Sequence, residues 1–128
     1  MRFDVDALAE KLEQACPEVV FAFLHGSAKD GCVRPEGDVD IALFVQGKPE
    51  FELIGRVIDV VDAVAPGAQA DVGILNPAEP VYRFEALKGR LLFCRDEETY
   101  LHFFSVTCRE YEDQIADYER QLHYRRTG

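Results

Sequence analysis

Asp38 and Asp40 stand at the head of the run Asp38-Val39-Asp40-Ile41-Ala42-Leu43-Phe44-Val45, and that position makes them candidates for chemistry. Side chains of a strand alternate between its faces, so both carboxylates project from one side, about 6.6 Å apart along the backbone. Two like charges held this way repel unless a cation lies between them. Mg²⁺ suits such a pair, because it takes a few carboxylate oxygens and leaves its other positions to water and phosphate oxygens. The opposite face shows Val39, Ile41, Leu43 and Val45 and must pack on helices.

Two further features extend this set. Gly26-Ser27 follows directly on the apolar run Val19 to His25. A glycine lets backbone approach a phosphate, a serine offers its hydroxyl, and unpaired N–H groups at the start of a helical turn favour an anion. Lys29 lies close by and could neutralise phosphate charge. Asp71 sits inside the otherwise apolar stretch Ala70-Asp71-Val72-Gly73-Ile74-Leu75, where a charge is costly unless paired or bound to metal. Gly73 shares its face and leaves space beside it for a ligand. His25 reads as a packed or capping residue.

Other enzymes that use such residues place them differently. Phosphatases of the haloacid dehalogenase type and D-x-D glycosyltransferases carry the acidic pair at the end of a strand. Here Val33-Arg34-Pro35-Glu36-Gly37 precedes the pair and the apolar run follows it. A serine hydrolase built on Ser27 lacks the G-x-S-x-G elbow.

The elements that must position these residues can be read from periodicity. Asp4 to Cys16 predicts a helix with Leu8, Leu12 and Ala15 on one side, ended by Pro17. Val19 to His25 predicts a strand, Gly26 to Gly37 a loop holding a short helical turn, and Asp38 to Val45 a second strand. Pro49 to Val64 predicts a helix with a stripe of Ile54, Val57, Ile58, Val61 and Ala65. Gln69 to Leu75 predicts a third strand ended by Asn76-Pro77, Pro80 to Leu87 a short helix, and Arg90 to Cys94 a fourth strand. The last helix runs from Glu97 to His123, with Leu101, Phe104, Cys108, Tyr111, Ile115, Tyr118 and Leu122 repeating at three and four residues as a mostly core stripe. That stripe is longer than the rest of the chain can cover, so part of it could face a partner. Asp96, Glu97 and Glu98 at its start and Arg120, Arg125 and Arg126 at its end complement the helix dipole. The alternation of helix and strand implies an α/β sandwich around a small sheet, a single domain over residues 1–128.

Bulk properties narrow the partners. The chain has 128 residues, with 48% hydrophobic and 30% charged, as a soluble globular protein does. No apolar run approaches the roughly 18 residues of a membrane span. Residues 1–16 mix charges and carry no export signal, so a cytoplasmic location is expected. Cys16, Cys32, Cys94 and Cys108 are scattered without metal spacing and read as free, mostly buried thiols. The net charge of −10 would repel DNA or RNA and suits metal binding or a basic protein partner.

Taken together, Gly26-Ser27-Ala28-Lys29-Asp30-Gly31, Gly37-Asp38-Val39-Asp40-Ile41 and Asp71 resemble the signature of the DNA polymerase beta-like nucleotidyltransferases. Nearly the whole chain is similar to their minimal (MNT) branch, the MntA-type antitoxins. Gly37 departs from the serine common there, and an arginine often found after the Gly-Ser pair is missing. The resemblance implies an α/β (α+β) fold with a small mixed sheet flanked by helices and a long C-terminal helix. It implies two Mg²⁺ ions held by the catalytic Asp38, Asp40 and Asp71, with Gly26, Ser27 and Lys29 binding the nucleotide. It further implies transfer of a nucleoside monophosphate, AMP from ATP, to a tyrosine hydroxyl of a small helical HEPN-type toxin, with the chain acting as antitoxin. The alternative is a catalytically weak module that neutralises its partner by binding alone.

Overall fold

The computed structural model describes residues 1–127, with side chains as far as His123. The predicted dipole contacts of Arg125 and Arg126 lie outside the described side chains. Helix α1 spans Val5–Ala15, capped by Asp4, whose carboxylate accepts from the Ala7 N–H at 3.2 Å. Strand β1 spans Val19–His25 and passes into a short 3-10 turn at Gly26–Ala28. Strand β2 spans Asp38–Val45, helix α2 Phe51–Val64, and strand β3 Gln69–Ile74. Helix α3 covers Pro80–Leu87 with proline in its first turn, β4 covers Arg90–Cys94, and α4 runs over Glu97–Thr127.

Among the described residues the strands form one mixed sheet in the order β3-β2-β1-β4. β1 is antiparallel to both β2 and β4, while β2 and β3 run parallel, with α2 as the crossover. At the end of β3, Asn76 replaces a further ladder rung. Its side chain accepts from the Val45 N–H at 3.0 Å and donates to the Val45 carbonyl at 2.8 Å.

The sheet divides the interior into two layers. On one side Val39, Ile41, Leu43 and Val45 pack with Leu8 and Leu12 of α1 and Leu53, Val57 and Val61 of α2. On the other, Phe21, Phe23, Ala42 and Leu75 pack with Ala86 of α3 and Phe103 of α4. The second layer is aromatic: Phe21 stacks on Phe44 at 4.8 Å between centroids and meets Phe103 at 5.1 Å.

Three expectations need correction. α2 buries Leu53, Val57 and Val61, leaving Ile54 and Ile58 at the surface, so its inward face is turned from the predicted stripe. α4 turns Phe103 and Thr107 inward, and most of the predicted stripe points to solvent. In each helix the buried set takes in positions beside the stripe, Leu53 in α2 and Phe103 and Thr107 in α4. The cysteines are free, but only Cys16 is buried; Cys32 and Cys94 are exposed and Cys108 is intermediate.

Candidate active site

Strand register assembles the site. His25 of β1 lies opposite Asp40 of β2, and Asp40 lies opposite Asp71 of β3, so the three form a row across the sheet on one face. Asp38, two residues before Asp40, shares that face and is opposite Gln69. This is the aromatic face, and the row lies at its open end, beyond Phe23 and Ala42.

Asp40 is half-buried, and its pKa lies above the ordinary carboxylate value. Burial is the main cause, opposed by His25 and supported by the charge of Asp71, a hydrogen bond shared with the Asp71 carboxyl, and the charge of Asp38. Asp40 and Asp71 therefore form a close pair, with Asp38 further out. His25 is held below its usual pKa by burial, against the upward pull of Asp40, Asp71 and Glu85.

The Gly26 turn closes over this pair. Gly26 has φ +74°, and a Cβ there would stand 2.1 Å from Asp40 Oδ2. Only glycine accommodates both the left-handed backbone and the carboxylate. Gly37 is likewise confined: a Cβ there would come within 2.9 Å of the Arg34 carbonyl oxygen and 3.0 Å of Val33 Cγ2. The departure from serine at this position follows from the tight turn that closes Arg34 to Gly37, with a 2.8 Å hydrogen bond.

Tyr82 was not foreseen. Its hydroxyl fills the space over Gly73, where a Cβ would stand 1.9 Å from Oη, so the room expected there for a ligand is occupied. The same hydroxyl is 3.4 Å from His25 Nε2. Burial, then the charges of Asp71 and Asp40, raise its pKa. The bare strand surface at Gly73, on the same face as the exposed Asp71, is the sequence signal that a large side chain can pack there.

Two clefts flank the row. The larger, about 740 Å³, is lined by Ser27, Asp38, Arg34, Cys32 and Gly37 among others, a size that suits a small ligand. Arg34 is thus a cation in the same cleft as Ser27, a residue the spacing of the sequence did not single out. Lys29 lines a smaller cleft of about 240 Å³ with Gly26, Glu85, Lys88 and Gly89. Ser27 and Lys29 are therefore on different clefts.

The sequence profile of the family "Polymerase beta, Nucleotidyltransferase" matches residues 7–98, which include every acidic and glycine residue of this site. The chain belongs to the polymerase beta nucleotidyltransferase family. No curated protein matches the sequence. Among solved structures, a mutant of the toxin–antitoxin pair MntA–HpeT is similar with a TM-score of 0.74 and 16% identity, covering 94% of this chain and 96% of the other. A toxin–antitoxin structure with AMP-PNP has a TM-score of 0.72, 17% identity and the same coverages. A third, the tri-AMPylated HEPN toxin of Shewanella oneidensis in complex with MNT antitoxin, has a TM-score of 0.67 and 16% identity, covering 93% of each chain. At these identities the likeness is one of fold.

For a nucleotidyltransferase, the donor set can be tested against a hard divalent cation. Its chemistry is suitable: Asp38, Asp40 and Asp71 offer oxygens only, and Asp40 and Asp71 are like charges in hydrogen-bonding reach, which a cation would relieve. Among the described residues, however, no group of three or more His, Cys, Asp or Glu side chains is gathered closely enough to hold a metal ion. The fold brings two of the three acids into contact and puts the third on the same face of β2.

Proposed function

We propose that this nucleotidyltransferase moves AMP from ATP onto a tyrosine hydroxyl of a HEPN-type helical partner and so acts as its antitoxin. The observation that carries the reading is the Asp40–Asp71 pair beneath a glycine turn that admits no side chain. Support for the acceptor comes from the structural neighbours, one of which holds an AMPylated HEPN toxin beside an MNT antitoxin. Support for the donor comes from another, solved with AMP-PNP.

Asp38, Asp40 and Asp71 would hold two Mg²⁺ ions, which when bound neutralise phosphate charge and ease loss of the acceptor proton. The rest is done by the chain itself. The Gly26 turn and the Ser27 hydroxyl orient the phosphates, with Arg34 in the same cleft and Lys29 across the turn supplying positive charge. Asp71, at the outer end of the row, stands where an incoming hydroxyl can approach from solvent. His25 beside Asp40 and Tyr82 over Gly73, 3.4 Å from His25 Nε2, would limit water on that side of the row.

The test is incubation of the chain with α-labelled ATP, Mg²⁺ and a co-expressed helical partner, with the labelled residue located by mass spectrometry. Wild type should label a partner tyrosine. Asp40→Asn should reduce labelling by about 10²-fold or more, the scale on which loss of a preorganised charged group acts. One observation favours a second reading, a binding module with weak catalysis: the acids meet as a pair, not a trio. No label from wild type, with complex formation unchanged in Asp38→Ala/Asp40→Ala, would select it.

A further inference from the structure

Helix α4 carries an apolar seam that the body of the protein leaves in solvent. Leu101, Phe104, Cys108, Ile115, Tyr118 and Leu122 follow heptad spacing with Tyr111, and Leu101 and Tyr118 are 53% and 58% exposed. Tyr111, in the middle of the seam, is anchored to the body by stacking on Phe84 at 3.9 Å. Spacing of three and four residues over about three heptads is the pattern that another helix, not a flat surface or extended peptide, can follow.

The edges of the seam specify that helix further. Between residues 110 and 119 stand Glu110, Glu112, Asp113, Asp117 and Glu119, with no Lys or Arg among them. Arg120, next along, is bonded to Asp117 and adds little free positive charge. Glu112 and Glu119 lie directly along one edge of the seam, and Gln114 and Gln121 along the other. A second copy is a poor occupant: antiparallel pairing sets the Glu112 and Glu119 edge against itself, and parallel pairing joins two chains of net charge −10 with aligned dipoles. We propose that the α4 seam receives an amphipathic helix of a partner protein whose edges carry Lys or Arg. The proposal rests on the reading above in taking a helical protein as partner, and it assigns the surface that holds that partner, made of residues other than the acidic row. It needs no nucleotide, so it stands or falls separately from AMP transfer.

A fluorescent three-heptad peptide with Leu at both seam positions and Lys at both edges is a suitable probe, with a twin bearing Glu at the edges. Titrated with the full chain without nucleotide, the Lys peptide should bind, and the Glu peptide at least about tenfold more weakly. The charge-neutral double variant Ile115→Asn/Tyr118→Asn should weaken the Lys peptide by about tenfold or more, while Phe51→Asn on the exposed side of α2 should leave it unchanged. Circular dichroism checks the helix in each variant; if Ile115→Asn/Tyr118→Asn loses helicity, Leu101→Asn/Phe104→Asn replaces it with the same expectation. Equal affinity in wild type and seam variants overturns the proposal, showing attraction by acidity alone. So does a wild-type dimer that the seam variants dissolve, since the occupant would then be a second copy.

Discussion

At Gly26 a single methyl group would collide with the Asp40 carboxylate. A Cβ would overlap Asp40 Oδ2 at 2.1 Å, and the positive φ penalises any L side chain as well. Gly26→Ala must therefore push the turn away from Asp40 or turn the carboxylate off its pairing with Asp71. A displacement of about 1 Å at reacting groups costs on the order of 10²-fold in rate, so labelling by Gly26→Ala should fall by that factor with the fold retained. Unchanged labelling would remove the turn from the machinery. Gly73 makes the contrasting case, because the atom it faces is the tyrosine hydroxyl. Gly73→Ala should evict Tyr82 and cost about 1–3 kcal/mol in urea unfolding, the usual range for overpacking. If stability is unaltered, Tyr82 is not wedged there.

Among elements, the connection between α1 and β1 is held by charge. Arg56 of α2 donates to the Ala15 carbonyl at 2.7 Å and to both carboxylate oxygens of Glu18, at 2.9 and 2.5 Å. The hydrogen bond from Arg56 is the largest cause holding the Glu18 carboxyl below its ordinary pKa. A carboxyl whose pKa is lower folded than unfolded stabilises the fold above its unfolded pKa and loses that contribution as pH falls through the folded one. Glu18→Gln should thus lower the thermal midpoint at neutral pH, and the gap between the two proteins should close as pH falls below the ordinary carboxylate range and through the folded pKa. A gap that persists in acid would place the effect in packing instead of charge. The strands themselves were legible because each is a short run dominated by apolar residues between turn residues, and the predicted ranges of β1, β2 and β4 match the observed ones. Helix faces were not. Ile54 and Leu101 are as apolar as the Leu53 and Phe103 that replace them inside, and which set turns inward depends on the crossing of helix over sheet. The acidic row was legible, with Asp38 and Asp40 on one strand and Asp71 in the next apolar run, though not that Asp40 and Asp71 would be the close pair. Its closure by His25, Tyr82 and Arg34 was not, since those residues meet only through β1 register, α3 and the 26–37 loop.

The whole molecule has two cores of different consequence, because only one continues into the site. Leu12 lies in the layer of α1 and α2, behind the sheet from the acids, whereas Phe103 lies in the aromatic layer with Phe21, Phe23 and Ala42. His25, Asp40 and Gly73 sit on that same face, and Arg83 of α3 lies over the Phe103 ring at 5.4 Å, so truncation at Phe103 loosens the helix that carries Tyr82. Both residues are almost fully buried, and truncation leaves a void in either place. Leu12→Ala should cost about 2–5 kcal/mol and Phe103→Ala about 3–5 kcal/mol. The kinetic consequences should separate where the energetic ones overlap. At a temperature where each variant is fully folded, Leu12→Ala should label its acceptor at the wild-type rate. Phe103→Ala should be slower, since the aromatic layer no longer fixes α3 and with it the wall formed by Tyr82. Equal rates for the two variants, with equal losses of stability, would mean that the sheet alone holds the acids and that the aromatic layer serves only folding.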